Sequence, residues 1–106
     1  RFPDKTASVL DDGHLKIDLA RRLVTCNDNL VELTPKEYAV LANLAQHRQC
    51  VVTQKQLLEQ FWGPSHAHNT HYLRIVVSHI RQKIGDDPTT PRYVITEAGI
   101  GYRLML

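Results

Sequence analysis

The 106 residues, 42% hydrophobic and 23% charged, have the proportions of a single ordinary globular domain. No apolar run approaches the length of a membrane span and the first residues lack a secretory signal, so we expect a cytoplasmic protein with no membrane partner. The net charge of +2 is too small to identify a polyanionic partner, but no Asp or Glu occurs from Gln60 to Gly85, which favours a surface that meets phosphates.

The chain begins Arg-Phe-Pro-Asp-Lys without an initiating Met, which indicates a fragment of a longer protein. We interpret residues 1–7 as the remnant of a linker and residues 8–106 as one domain. Cys26 and Cys50 fit a reduced protein better than a disulfide scaffold. Because Cys50 begins an apolar stretch, we expect it in the core.

The first third of the chain reads as short strands. Apolar and polar residues alternate over 15–19, the period of a half-buried strand. Residues 22–26 and 30–33 flank the turn-forming residues 27–29 and predict a hairpin, and residues 8–10 predict one more strand. Together they predict a small antiparallel sheet.

A capping box then predicts the first helix. Thr34 can accept from an orphan backbone N–H, Pro35 suits the first helical position, and Glu37 can reach back to the start. The helix is expected to end near His47. Its buried face follows at helical spacing: Tyr38, Leu41, Leu44 and Ala45.

A second helix follows a short extended link at residues 50–52. Thr53 and Gln56 repeat the capping pattern, and Gly63 with Pro64 ends the helix. Its apolar stripe is expected to contain Leu57, Leu58, Phe61 and Trp62. Residues 65–68 are expected to form a loop.

The third helix is expected to start at Asn69 or Thr70 and to stop at Gly85. Beyond it, residues 93–96 and 102–105 are strand-like and flank a glycine-containing turn, which predicts a terminal hairpin. The resulting fold class is α+β, a winged helix-turn-helix with an N-terminal antiparallel sheet, three helices and a C-terminal hairpin as the wing.

The two faces of the third helix differ in chemistry. At 100° per residue, the core stripe contains Leu73, Val77, Ile80 and Ile84. The opposite side and its shoulders carry short, uncharged or cationic side chains: His71, Arg74, Ile75, Ser78, His79 and Gln82. Arg74 suits a guanine edge and Ile75 a thymine methyl, whereas Arg81 is better placed for a phosphate. We therefore expect this helix to lie in the major groove of double-stranded DNA.

Three other interpretations are open. The helix can be an ordinary amphipathic helix with a wet polar face, or the domain can use the same face to hold a partner protein. The third is a metal site at His66, His68 and His71, but neither cysteine and no carboxylate lies near them in sequence, so we expect no metal. The sequence also lacks a phosphate loop, a nucleophile elbow and paired catalytic carboxylates, so we expect no enzyme, no catalytic residue and no cofactor.

From about residue 8 to the end, the chain resembles the effector domains of OmpR/PhoB-type response regulators. Four motifs in matching order carry the resemblance: Leu33-Thr34-Pro35-Lys36-Glu37-Tyr38, Gln56-Leu57-Leu58-Glu59-Gln60-Phe61-Trp62-Gly63, Val77-Ser78-His79-Ile80-Arg81-Gln82-Lys83-Ile84 and Gly99-Ile100-Gly101-Tyr102-Arg103. Residues 71–75 and 95–103 are similar in particular to the family's regulators of potassium-uptake operons. The resemblance implies a phosphorylatable receiver domain ahead of Arg1 and a head-to-tail homodimer on direct-repeat promoter sites.

The resemblance also implies roles for individual residues. Positions that match base-reading residues are His71, Arg74, Ile75, Ser78 and His79. Positions that match phosphate contacts are Trp62, Arg81, Thr96 and Tyr102. The segment that would touch RNA polymerase is Gly63, Pro64, Ser65, His66, Ala67 and His68. The chain departs from relatives at Ala98, where a wing-tip Arg can sit, and at Ser78 and His79, where others have Arg.

Overall fold

Two antiparallel sheets flank three helices in residues 8–106, the part of the chain that the structure, a computed structural model, describes. The expectation of a linker at residues 1–7 lies outside the described residues. In chain order the elements are β1 (Val9–Asp11), β2 (Leu15–Asp18), β3 (Leu23–Cys26), β4 (Asn29–Leu30), α1 (Pro35–Gln46), β5 (Val52–Thr53), α2 (Gln54–Trp62), a 3-10 turn (Pro64–His66), α3 (Thr70–Ile84), β6 (Val94–Glu97) and β7 (Gly101–Leu104). None of the helices in these residues is long and apolar enough to cross a membrane.

The N-terminal sheet has the order β1-β2-β3-β4 and buries the inward residues of its central strands. The β3–β4 turn is shorter than predicted, because Asn27 and Asp28, at φ 52° and 67°, form a two-residue turn that pairs Cys26 with Asn29. The predicted strand at 30–33 ends at Leu30, since the chain leaves the sheet there to enter α1.

Both predicted capping boxes are present. The Glu37 N–H donates to Thr34 Oγ1 at 3.2 Å, and the Thr34 N–H donates to Glu37 Oε1 at 3.0 Å. The same pair of bonds joins Thr53 and Gln56 at 3.1 and 3.0 Å. These bonds satisfy orphan donors at both helix starts and fix where α1 and α2 begin.

The predicted core stripe of α3 is confirmed, since Leu73, Val77, Ile80 and Ile84 are at most 1% exposed. Gly85 ends the helix in the left-handed conformation at φ 74°. Asn69 occupies the N-cap position, but its side chain makes no capping bond to α3 and its Nδ2 instead lies 3.0 Å from His66 Nδ1. The segment predicted as a loop at 65–68 is partly regular, because residues 65 and 66 belong to the 3-10 turn.

The terminal hairpin is confirmed, and it gains a third strand that the sequence did not predict. The order is β5-β7-β6, with Val52 opposite Tyr102 and Thr53 opposite Gly101. The two backbones approach closely here, because a Cβ placed on Gly101 would lie 2.0 Å from the Val52 carbonyl oxygen. The wing is thus joined to the strand that leads directly into α2.

The prediction that Cys50 lies in the core is wrong, because its side chain is exposed. The chain turns at this point, with the Cys50 N–H donating to the His47 carbonyl at 2.9 Å, and Val52 is the residue that enters the core. Cys26, in contrast, is half-buried, and its Sγ lies 3.4 Å from the Ile84 carbonyl.

Two carboxylates fix the wing to the rest of the domain. The buried Asp86 accepts from the backbone N–H groups of Arg92, Tyr93 and Val94 at 2.6–3.2 Å, which holds the start of β6 against the end of α3. Asp12 accepts from the Tyr93 hydroxyl at 2.8 Å and so connects the N-terminal sheet with the wing.

Candidate nucleic-acid interface

The outward side of α3 collects the five predicted base-reading residues in one place. They line a shallow depression of about 400 Å³ and all are exposed: His71, Arg74, Ile75, Ser78 and His79. They share the face because positions three and four apart follow one another along a helix whose opposite stripe is fixed in the core. Ile75 is 51% exposed, an apolar side chain in the middle of a polar face.

Hydrogen-bond donors dominate this surface, and a buried carboxylate lies next to it. Glu37, 4% exposed, accepts from Lys83 Nζ at 2.6 Å and lies 3.5 Å from His79 Nδ1. Burial alone would raise the pKa of the Glu37 carboxyl, but the bonds from Lys83 and the Thr34 N–H and the nearby cations outweigh burial and lower it. Glu37 is therefore ionised near neutral pH and balances charge without facing outward.

Three of the predicted phosphate contacts meet at the junction of α3 and the wing. Arg81 Nε and Nη2 donate to the Val94 carbonyl at 3.1 and 2.6 Å, and Nη2 also donates to Thr96 Oγ1 at 2.8 Å. Tyr102 is 4% exposed. Its burial raises the pKa of its hydroxyl, against the opposing effect of Arg81 and Arg74. Thr96 is exposed.

The fourth predicted phosphate contact, Trp62, lies at the end of α2. Its ring is half-buried against the core, and Lys36 Nζ sits 4.7 Å from the ring centroid. Lys36 Nζ also donates to the Phe61 carbonyl. Trp62 can therefore both pack in the core and contact a phosphate, since one side of its ring is buried and the Lys36 cation lies beside the ring.

The segment from Gly63 to His68 leads into α3 through a cluster of rings. Tyr72 lies 4.3 Å from His71 and 5.8 Å from His66, measured between ring centroids. Among residues 8–106, no group of three or more His, Cys, Asp and Glu side chains is arranged to hold a metal ion. His66 contacts Asn69 and Tyr72, and His71 contacts Tyr72.

Sequence reasoning missed the tertiary contacts of two acidic residues. Glu37 was assigned to a helix cap only, and its pairing with α3 crosses 46 positions of sequence. The sequence did not indicate that Asp86, 4% exposed, is buried. One signal in the sequence could have indicated the ion pairs of Glu37. Gln56 closes the second capping box without a charge, so the charged Glu in the first box is not needed for capping alone.

Comparison with known proteins identifies close relatives. Residues 28–104 match the family described as transcriptional regulatory protein, C terminal. Over 90 residues the chain is 50% identical to the KDP operon transcriptional regulatory protein KdpE of Escherichia coli K12, covering 85% of this chain and 40% of that protein. The response regulator DrrB of Thermotoga maritima, an OmpR/PhoB homologue, superposes with a TM-score of 0.83 at 36% identity, covering 93% of this chain and 45% of DrrB. The RstA DNA-binding domain of Klebsiella pneumoniae, solved in complex with the RstA box, superposes with a TM-score of 0.81 at 25% identity. The match covers 92% of this chain and 96% of the RstA domain.

Proposed function

Because this chain belongs to the OmpR/PhoB family of C-terminal transcriptional regulatory domains, we propose that it binds double-stranded DNA sequence-specifically as the effector domain of a response regulator. The observation that carries the proposal is the outer face of α3. It is 15 residues long, about 22 Å, and presents Arg74 and Ile75 together on a helix without a carboxylate. A major groove admits such a helix and offers the acceptors and methyl groups that it can contact.

Each part of the interface has a separate role in this proposal. The five residues of the α3 depression read base edges, with Arg74 on a guanine and Ile75 on a thymine methyl. Phosphate contacts come from Trp62, Arg81, Thr96 and Tyr102, and they set register without reading sequence. The wing tip at Ala98 adds no cation of its own, so the minor groove contributes little to sequence choice.

This chain spans about 40% of the length of its Escherichia coli relative, so part of the proposal concerns the intact protein. We assign it a receiver domain, a homodimer on direct-repeat sites, and contact with RNA polymerase through residues 63–68. The 50% identity to KdpE supports control of a potassium-uptake operon. A pair of tethered domains would bind such a repeat more tightly than one domain, since the second binding event becomes intramolecular.

Fluorescence anisotropy tests the proposal directly. The chain is titrated onto a labelled direct-repeat duplex from a potassium-uptake promoter and onto a scrambled duplex of the same composition, over a salt series. We expect preferential, salt-sensitive binding to the promoter duplex. Equal binding to both would remove the proposed operator but keep DNA binding, and no binding to either at low salt would overturn the function.

Arg74→Ala tests the reading role of α3. We expect a loss of about 1–3 kcal/mol on the promoter duplex and a relaxed preference at one base pair, because a bidentate guanine contact disappears. Arg21→Ala is the matched control, since it removes the same charge from a side chain that is 79% exposed beside β2. An equal loss on promoter and scrambled DNA would make Arg74 a phosphate contact instead.

A protein-interaction module is the second candidate, and the exposure of Ile75 is what favours it. An apolar side chain in the middle of a polar face also suits a protein interface. That function predicts no salt-dependent DNA affinity and protection of Ile75 by a bound protein. The low-salt titration therefore separates the two candidates.

A further inference from the structure

The two capping boxes of the domain differ in one respect. Both close with the same backbone bonds, at 3.0 Å from Thr34 to Glu37 Oε1 and at 3.0 Å from Thr53 to Gln56 Oε1. An amide therefore satisfies the cap as well as a carboxylate does. Yet Glu37 is 4% exposed, and burying a carboxylate is unfavourable unless it is paired. The charge at Glu37 thus has a use beyond starting α1.

The partners of Glu37 show where the charge acts. Its two oxygens divide between two α3 side chains, Lys83 Nζ at 2.6 Å from Oε1 and His79 Nδ1 at 3.5 Å from Oε2. These are the charged and titratable groups that share the carboxylate. Lys83 does not line the depression that His79 lines, so Lys83 balances the charge, while His79 connects that charge to the candidate reading surface.

We propose that Glu37 is a positioning residue for His79, holding the Nδ1 edge of the imidazole toward the domain and leaving Nε2 as the atom that meets DNA. This inference rests on the proposed DNA-binding function. The His79 side chain is 53% exposed, so the ring can be oriented from beneath and still reach a ligand.

The arrangement determines what His79 offers to a base. With the carboxylate beside Nδ1, the neutral ring keeps its proton on Nδ1 and presents Nε2 as an acceptor, which suits the amino group of cytosine or adenine. Glu37 thereby fixes which edge of a base His79 can contact.

The tautomer of His79 gives a test that needs no DNA. Long-range proton–nitrogen NMR spectra of the chain at pH 8 are compared for the wild type, Glu37→Gln and the charge-matched control Glu32→Gln, whose side chain is exposed. We expect the His79 proton on Nδ1 in the wild type and the control, and on Nε2 in Glu37→Gln. A proton on Nε2 in all three proteins would overturn the proposal.

A second test uses DNA affinity in a double-mutant cycle. The wild type, Glu37→Gln, His79→Gln and the double variant are titrated onto the promoter duplex at pH 8. We expect Glu37→Gln to lower the affinity by about threefold, because the ring no longer presents Nε2 as an acceptor, and to change nothing in the His79→Gln background.

The outcomes separate this inference from its premise. If Glu37→Gln lowers the affinity by the same factor in the His79→Gln background, Glu37 is only structural and the inference is wrong. If the wild type binds no DNA at low salt, the proposed function fails, whereas the NMR comparison still decides whether Glu37 orients the ring. The preserved thermal transition of Glu37→Gln, expected because Gln56 closes the equivalent cap, would show that the variant is folded.

Discussion

A single guanidinium joins α3 to the wing. Arg81 donates two bonds to the Val94 carbonyl and one to Thr96 Oγ1, and it is also the residue proposed to meet a phosphate. A side chain with five donors can do both, since these bonds involve Nε and Nη2. Its cation is thereby held in place in the free domain, so the proposed phosphate contact would cost little side-chain entropy.

Arg81→Ala is expected to affect stability and binding in different ways. The free energy of unfolding falls by about 1–2 kcal/mol, because the Val94 carbonyl loses its side-chain partner. DNA affinity falls alike on promoter and scrambled duplexes, and the salt dependence becomes shallower by about one unit of slope. Urea titration and anisotropy over a salt series measure the two effects, and an unchanged slope would exclude the phosphate role.

At the scale of elements, short sequence motifs predicted the features that depend on neighbouring residues, such as where each helix begins and ends. Two capping boxes, a helical stripe and a left-handed Gly85 determine the bounds of α1, α2 and α3, and each is visible within a few residues of sequence. The missed features depend on distant partners. β5 is a strand because Tyr102 lies beside Val52, and Cys50 is exposed because the chain turns just before that pairing.

The same distinction holds for the candidate site. The residues of the α3 face follow from helix geometry alone, so the sequence predicts that they share one surface. The ion pairs of Glu37 and the burial of Asp86 join residues from different elements, and no periodic pattern reports them. The ion pairs and buried carboxylates behind a surface are therefore harder to predict from sequence than the residues on the surface.

Gly101→Ala tests the close approach between β5 and β7. The added methyl would meet the Val52 carbonyl oxygen and the Thr53 Cα, which are backbone atoms that cannot turn aside. We expect a loss of about 2–4 kcal/mol in the free energy of unfolding, as for an overpacked core site. Gly99→Ala is the control, since open space surrounds that position and only its φ of 75° is unfavourable, at about 1 kcal/mol. Similar losses in both variants would contradict the steric explanation.

At the scale of the whole molecule, Asp12 joins the N-terminal sheet to the wing. Asp12 in the β1–β2 turn accepts from the Tyr93 hydroxyl, 81 positions away, and lies 3.5 Å from Arg92 Nη2. Burial raises the pKa of the Asp12 carboxyl, but backbone bonds from Leu15 and His14, the Tyr93 bond and Arg92 together lower it to about 2. On the other side, burial and the bond to Asp12 raise the pKa of Tyr93 to about 12.

This bond makes stability depend on pH at the acid end. Because the pKa of Asp12 is lowered in the folded domain, its contribution is present above about pH 4 and is lost as the pH falls toward 2. We expect Asp12→Asn to cost about 1 kcal/mol at pH 7, a value reduced for partial exposure, and nothing near pH 2. Urea titrations at both pH values measure the difference, and a constant cost would show that the carboxylate charge is irrelevant.

The strand order of the wing has a consequence for biosynthesis. The central strand β7 is the last of the three to leave the ribosome, and its partner β5 is made 50 positions earlier. Until β7 emerges, β5 and β6 have no neighbour to pair with, although α1, α2 and α3 are already complete. A nascent chain therefore acquires its helices first and its wing in a single later step. Slow translation through the codons of β7 would prolong a state in which two unpaired strand edges invite association with other chains.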